Sequence, residues 1–416
     1  MFMNRHILIF LIITRALFHC EWGVAQLLSL EEAILLAEKN NAGLKASELR
    51  TRQQKFLMRA SAEIPKTDIN LLYGKYNSIN NDNNITITQS FPFPVTTLRQ
   101  IHLAQAQFDL ASRQYAYQKQ QLLTEVKSVF YTLLYLREII RLRTIADSLM
   151  RGLAHTAEVR FRSGEGTWLE KNAADLQLRE AQMQLLQTRT EYLSYLNQLS
   201  VLVNEDFSDI IGNLHVRVMS LPDSLDVSLN PAWQNEASRY QMARSTTRLE
   251  QSRLWPDLRI AYFNQTIIGV QNINGADIYF GPGTRFEGLE AGLVFPLWLA
   301  PQVNKIKAAR MAEQAAAEDL QYTTRQISHR WQQLKREIQT HLEMLRYYED
   351  QAIPAADRML EQAQRAFSLG EMNYTMTLLN ARQALITREG YAQTRNKLNQ
   401  LIIELEFLSG YVHENQ

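Results

Sequence analysis

The chain has 416 residues, and 44 Lys+Arg against 43 Asp+Glu leave a formal net charge of +1. That balance excludes a polybasic nucleic-acid binder and an acidic disordered chain. Hydrophobic content of 46% is ordinary for a folded protein, whereas glycine (16) and proline (10) are scarce, so helix breakers are few and a mainly helical fold is expected.

At the start, Arg5 supplies a positive charge, Ile7 to Ile13 form a seven-residue apolar run, and Gly23-Val24-Ala25 offer small residues for cleavage. This pattern reads as a secretory leader over residues 1–25, too short for a membrane span. The alternative is a lipoprotein acylated at Cys20, against which Phe18 and His19 stand where small residues are needed. Cys20 is the single cysteine, so neither an intramolecular disulfide nor a cysteine-based zinc site is possible. No later segment is apolar and long enough for a transmembrane helix, which leaves open a span made of strands.

Ser29-Leu30-Glu31-Glu32 opens a short helix with a capping box. Thr67 to Asn77 and Asn84 to Phe91 then alternate apolar and polar residues around the turn cluster Ser78 to Asn83, the pattern of a β-hairpin. From Val95 to Leu221 there is no proline. Within it Leu122, Val126, Val129, Leu133, Leu136 and Ile140 keep a 4,3 spacing, the seam of a coiled coil. A helix from Leu98 to Phe161 would rise about 100 Å at 1.5 Å per residue. Its turn is expected at Arg160-Phe161-Arg162-Ser163-Gly164-Glu165-Gly166, and the return arm repeats the beat at Leu178, Leu185, Tyr192, Leu196, Leu199 and Val203.

The second half replays the first. Asn230-Pro231 starts a helix. Asp257 to Gln265 and Phe286 to Phe295 read as strands joined by a longer, glycine-rich, irregular loop over Thr266 to Arg285. Ile327, Trp331, Leu334 and Ile338 carry a second seam, turned at Ala366-Phe367-Ser368-Leu369-Gly370-Glu371, and Leu398, Leu401, Leu405 and Leu408 return. Phe-x-x-Gly-Glu recurs at Phe161 and Phe367, and Phe-Pro at Phe91 and Phe295, a tandem duplication of about 205 residues. The expected division is a leader over 1–25, a first repeat over 26–203, a link over 204–229, a second repeat over 230–410 and a tail over 411–416.

Tyr73, Tyr76, Tyr262, Phe263, Phe280, Phe286 and Phe295 crowd the strands, which suits either a membrane–water interface or a small core. Four strands cannot close a barrel, and open edges in a bilayer leave backbone groups unpaired. If the strands enter a membrane, three chains sharing one barrel of about twelve strands would resolve the problem.

Taken together, Leu28-Ser29-Leu30-Glu31-Glu32-Ala33-Ile34, the two Phe-Pro junctions and the two Gly-Glu tips resemble the TolC family of outer-membrane efflux channels, over Leu27 to Gly410. The second hairpin is similar to the heavy-metal branch of that family, the CzcC- and CusC-like channels. The resemblance implies a mainly α fold with β: duplicated long coiled-coil hairpins and two β-hairpins. It implies a homotrimer whose 12-stranded β-barrel sits in the outer membrane of a Gram-negative bacterium and continues as a periplasmic α-barrel. It further implies a passive conduit for substrate, heavy-metal cations in that branch, served by a periplasmic adaptor and an inner-membrane RND-type pump. Outer-membrane lipid is the remaining partner, with no nucleic acid.

The tip residues Arg160, Ser163, Gly164, Glu165, Gly166, Leu369, Gly370 and Glu371 are the expected adaptor-docking positions. Multidrug relatives carry aspartates after the second tip, but here the next acid after Glu371 is Glu389. The candidates for the pore entrance are therefore Glu170, Asp175, Met376 and Asn380. No two of His102, His155, His215, His329, His341 and His413 stand at chelating helical spacing. Met372 and Met376 are four apart, a spacing that suits either Cu(I) or ordinary packing. Without a phosphate loop or nucleophile elbow, no catalytic residues, metal site or cofactor are expected. Two rival readings remain at this point: a periplasmic adaptor, which carries one hairpin rather than two, and an exported coiled-coil structural protein.

Overall fold

The computed structural model describes residues 27–217, 224–368, 372 and 374–410. The expected leader, the tail over 411–416 and the tip residues Leu369, Gly370 and Glu371 lie outside them. In chain order the described elements begin with β1 (Leu27–Leu28), α1 (Leu30–Asn40), α2 (Ala42–Arg59), β2 (Asp68–Gly74), β3 (Asp82–Phe91), α3 (Pro94–Arg162), α4 (Trp168–Val203) and β4 (Asp209–Ile210). They continue with α5 (Pro231–Ser252), β5 (Asp257–Gln265), β6 (Gly269–Ile273), β7 (Ala276–Phe280), β8 (Phe286–Val294), α6 (Leu299–Tyr347), a π-helical turn (Tyr348–Ala352), α7 (Ile353–Ser368) and α8 (Tyr374–Ser409).

Local chemistry explains most boundaries. The Ser29 Oγ accepts from the Glu32 N–H at 3.2 Å while Glu32 Oε2 accepts from the Ser29 N–H at 3.0 Å, so the capping box at α1 is complete. The single short helix expected there is two. Asn41 leaves the helical region, and its Oδ1 accepts from the Leu44 N–H at 3.0 Å, opening α2. Its Nδ2 also donates to Leu202 O at 3.0 Å, tying the break to the end of α4. α3 runs 69 residues and starts at Pro94, whose missing N–H costs nothing in the first turn.

The loop over Thr266 to Arg285, expected to be irregular, contains the antiparallel hairpin β6–β7, Gly269 opposite Phe280 and Ile273 opposite Ala276. Asn274 and Gly275 form its two-residue turn, with φ of 55° and 86°. A two-residue turn with both φ positive is a strong hairpin former; the Asn-Gly pair was there to be read.

The second long stretch is also not one smooth helix. Pro354 has no N–H to return to the carbonyl four residues earlier, and the turn just before it widens to π geometry over Tyr348–Ala352. The widened turn carries Tyr348 onto α8, where a Cβ on Gly390 would lie 2.5 Å from the tyrosine oxygen. Tyr391 donates to Glu349 at 2.9 Å beside it.

The chain divides into two compact units. One combines residues 46–117 and 227–327, and holds β2, β3 and β5–β8 with α5 and parts of α2, α3 and α6. The other combines residues up to 45 with 118–226 and 328–416. In the second, the seam residues Leu122, Val126, Val129, Leu133 and Leu136 are buried, as are Trp331, Leu334, Ile338, Leu398, Leu401, Leu405 and Leu408. This is the core that the 4,3 spacing anticipates.

Candidate functional site: a two-faced sheet and a hairpin tip

In the first unit, the two hairpins join into one antiparallel sheet, order β2-β3-β5-β8. The register sorts side chains cleanly, because residues directly opposite share a face. Ile69, Ile87, Tyr262 and Leu289 form one cross-strand row. Leu71 pairs with Ile85, Ile260 with Ala291, and Phe91 through Leu258 with Leu293 on the same face. The opposite face carries Asp68–Thr88–Ala261–Glu290 and Asn70–Thr86–Phe263–Gly288. One face is thus mainly apolar, with Gln89, Asn264 and Glu287 as its polar members, and the other mainly polar, yet the apolar face is not covered by the described residues: Leu71 is 75% and Leu289 81% exposed. Four apolar rows two residues apart span about 20 Å, close to the ~25 Å apolar band of outer-membrane barrels.

The edges are equally uncovered. β2 pairs on one side with β3, and β8 on one side with β5, so two long rows of backbone donors and acceptors face outward. At the end of the sheet where Phe91, Asp257 and Val294 lie, Trp255 stacks on Phe93 with centroids 5.0 Å apart. Leu297 and Trp298 are exposed there, an arrangement that suits the interfacial aromatic girdle of a membrane barrel. At the other end, the buried Asp82 carboxylate accepts from the Ile268 N–H at 2.7 Å and from Ser78 Oγ at 2.9 Å. That pins the β2–β3 turn to the short segment between β5 and β6.

In the second unit, the expected tip residues 160–166 come together in one turn. Arg160 O accepts from the N–H groups of Glu165 and Gly166, each at 2.9 Å, and Ser163 Oγ donates to the same oxygen at 3.0 Å. Gly164 takes φ +81°, a conformation that glycine adopts without steric cost. Glu158 then bridges the two arms, 2.6 Å from Arg162 Nε and 2.6 Å from Lys171 Nζ. Hydrogen bonds from Lys171 and then Arg162 hold its carboxyl below the ordinary range.

The pore-entrance candidates have different partners. Glu170 closes the capping box of α4: its Oε2 accepts from the Thr167 N–H at 3.1 Å, and its own N–H donates to Thr167 Oγ1 at 3.2 Å. Asp175 lies near Tyr374, whose buried hydroxyl has no hydrogen-bond partner among the described residues. Burial first and the Asp175 charge second raise the Tyr374 pKa. Asn380 Nδ2 lies 3.8 Å from Met372 Sδ, and Met376 is exposed. Tyr374 packs with Met150, Leu153, Ala154, Ala157 and Ala174. Sequence reasoning missed it because a tyrosine at a helix start has no motif. Among the described residues no group of three His, Cys, Asp or Glu could hold a metal ion.

Two further networks fix the link. Glu406, with its side chain 6% exposed, lies 2.9 Å from Lys127 Nζ and 2.6 Å from Arg217 Nη2. Burial opposes its ionisation, but Lys127 and Arg217 outweigh it and hold the pKa low. The wholly buried Asn399 accepts from the Arg217 N–H at 2.8 Å and donates to His215 O at 2.7 Å. Arg137 donates to Asp209 at 2.7 Å, and Tyr192 donates to the same carboxylate. Burial, then that hydrogen bond, push Tyr192 up to about 12. These pairings cross from the link to α3, α4 and α8, so no helical periodicity marks them.

No protein-family model and no curated protein matches the sequence. Solved structures do match. VceC, an outer membrane protein from Vibrio cholerae, is 16% identical with TM-score 0.75, covering 92% of this chain and 97% of its own. CusC, whose structures bear on transmembrane channel formation, is 11% identical with TM-score 0.75, covering 92% of both chains. The Campylobacter jejuni CmeC outer membrane channel is 13% identical with TM-score 0.74, covering 93% of this chain and 87% of its own. The fold is that of the TolC-type outer-membrane channels.

Proposed function

We infer that this chain is one third of an outer-membrane channel of an efflux system. Three copies close a 12-stranded barrel in the outer membrane of a Gram-negative bacterium, with the helical part in the periplasm. The observation that carries the reading is the four-stranded sheet with one uncovered apolar face and two open edges. Such a sheet is unstable in water and unpaired in lipid unless neighbouring copies complete it. Twelve strands fall within the range of outer-membrane barrels.

Transport through it is passive, and the energy comes from an inner-membrane RND-type pump joined by a periplasmic adaptor. The turn at Arg160, Ser163, Gly164, Glu165 and Gly166 is the docking point for that adaptor, together with Leu369, Gly370 and Glu371. Asp175, Met376 and Asn380 are the entrance-lining positions, whereas the capping bonds of Glu170 argue for a role in holding α4. Similarity to VceC and to CusC is of the same order and gives no preference for heavy-metal cargo over other substrates.

Membrane fractionation with chemical cross-linking tests the reading. The full-length protein is expected in the outer-membrane fraction as a species of three times the chain mass. A monomer in the aqueous fraction would end the proposal.

A further inference from the structure

Charge in the sheet-bearing unit is distributed by height. Helix ends gather at the end of the sheet where Phe91, Asp257 and Val294 lie. Thr96 at the start of α3 donates to Ser252 O at 2.9 Å, and Gln302 at the start of α6 donates to Glu250 O at 2.7 Å. Gln89 near the end of β3 donates to Pro65 O, in the segment after α2, at 2.8 Å. Residues 55–67, 92–105, 244–256 and 295–310 lie no more than about twelve helical residues from the strands, roughly 18 Å. They hold ten basic side chains and two acidic ones, Glu63 and Glu250, and Glu250 is paired with Arg253 at 2.7 Å. Farther along the same helices the excess vanishes: residues 46–54, 106–117, 227–243 and 311–327 hold five basic and six acidic side chains. The carboxylates Asp68 and Asp257, which open their strands, belong by register to the polar face of the sheet and not to the face that meets lipid.

The basic band also stands in a fixed order relative to apolar surface. Phe295, Leu297 and Trp298 follow β8 and are exposed, as is Trp255 just before β5. In the first turns of α6, Leu299 and Val303 are exposed, and Lys307 and Arg310 continue the same stripe at positions i+4 and i+7 from Val303. On α3 the exposed Val95 and Leu98 are followed on their stripe by Arg99 and His102. No ion pair among the described residues involves Arg99, Lys307 or Arg310. From the sheet into the helices, the exposed surface therefore passes from apolar strand to aromatic girdle to apolar first turn to cation. That is the order of half a bilayer, from hydrocarbon through the interface to the phosphate level. Anionic headgroups attract basic side chains within about a screening length of the surface.

We propose that this band docks acidic phospholipid headgroups of the periplasmic leaflet, with Arg99, Lys307 and Arg310 on the stripes that face the lipid. The proposal rests on the outer-membrane reading, in which the helices leave the sheet on the periplasmic side, and it adds the class of lipid that the channel gathers around itself.

The test uses the full chain in phosphatidylcholine vesicles containing brominated phosphatidylglycerol or brominated phosphatidylcholine with identical acyl chains. Tryptophan quenching, which Trp255 and Trp298 should dominate, gives the relative affinity for the two lipids. At low salt the acidic lipid is expected to be preferred about tenfold, the effect of one to two basic side chains at an anionic surface. The ratio should fall towards one in Arg99→Gln/Lys307→Gln/Arg310→Gln, and in wild type at about 1 M salt, where the screening length is ~3 Å. Lys39→Gln/Lys45→Gln/Lys397→Gln removes the same charge from exposed lysines of the other unit and should keep the preference. A wild-type ratio near one, a ratio indifferent to salt, or an equal fall in both triple variants overturns the proposal. So does displacement of the acidic lipid by 10 mM inorganic phosphate, roughly its level as a free competitor, because the band would then be a site for small anions. If the first triple variant does not insert, the salt titration of wild type decides alone. Absence of quenching by either lipid would overturn the membrane reading itself, and the lipid preference with it.

Discussion

Leu289→Arg separates a membrane sheet from a soluble one. Leu289 sits in the row Ile69–Ile87–Tyr262–Leu289, the second of four apolar rows, and is 81% exposed in the single chain. In water that exposure would make arginine nearly free, within about 0.5 kcal/mol as for surface substitutions generally. Facing lipid near mid-depth, the same arginine costs about 2–4 kcal/mol per chain, and roughly three times that for a trimer. The assay is denaturant unfolding of protein refolded into lipid vesicles, read with the yield of cross-linked trimer. A clear drop in midpoint and yield is expected, whereas Thr86→Arg on the opposite face should be tolerated far better. Unchanged midpoint and yield in Leu289→Arg would refute the assignment of this face to lipid.

Two more expectations concern the helical unit. Glu406→Gln leaves Lys127 and Arg217 facing each other without their shared carboxylate, a loss of about 3–5 kcal/mol by analogy with other broken buried pairs. Because the folded-state pKa of Glu406 is lowered from 4.5, its contribution is present above that value and is lost as pH falls below it through the folded pKa. Unfolding midpoints measured from pH 6 down to pH 3 should therefore decline less steeply in Glu406→Gln than in wild type. Thr167→Ala removes the acceptor for the Glu170 N–H and should cost about 1 kcal/mol of stability. Glu170→Gln can still accept from the Thr167 N–H, so thermal melts should show the smaller loss there, with conductance unchanged if the residue only caps its helix.

Much of the architecture is legible in local patterns. The capping box at Ser29, the proline at the start of α5 and the 4,3 seams each encode a local event that the backbone must obey. The hairpin strands likewise alternate with the period that their register later displays. What escaped was of two kinds. Some signals were short and overlooked, as with Asn274-Gly275 turning β6 into β7. Others have no local signature: the seat of Tyr348 on α8 depends on Gly390, some forty residues away, having no Cβ to meet its hydroxyl.

The sequence by itself determined helix, strand and turn, because capping, heptad spacing and alternation act over a few residues. Only the tertiary structure decided which strand edges meet. The pairing of β3 with β5 joins the two hairpins and sets one register across all four strands, and that register puts the mainly apolar rows on one face and most of the charged side chains on the other. Which faces coincide depends on contacts between residues about 175 positions apart, such as Ile87 and Tyr262, and no periodicity within either hairpin carries that information.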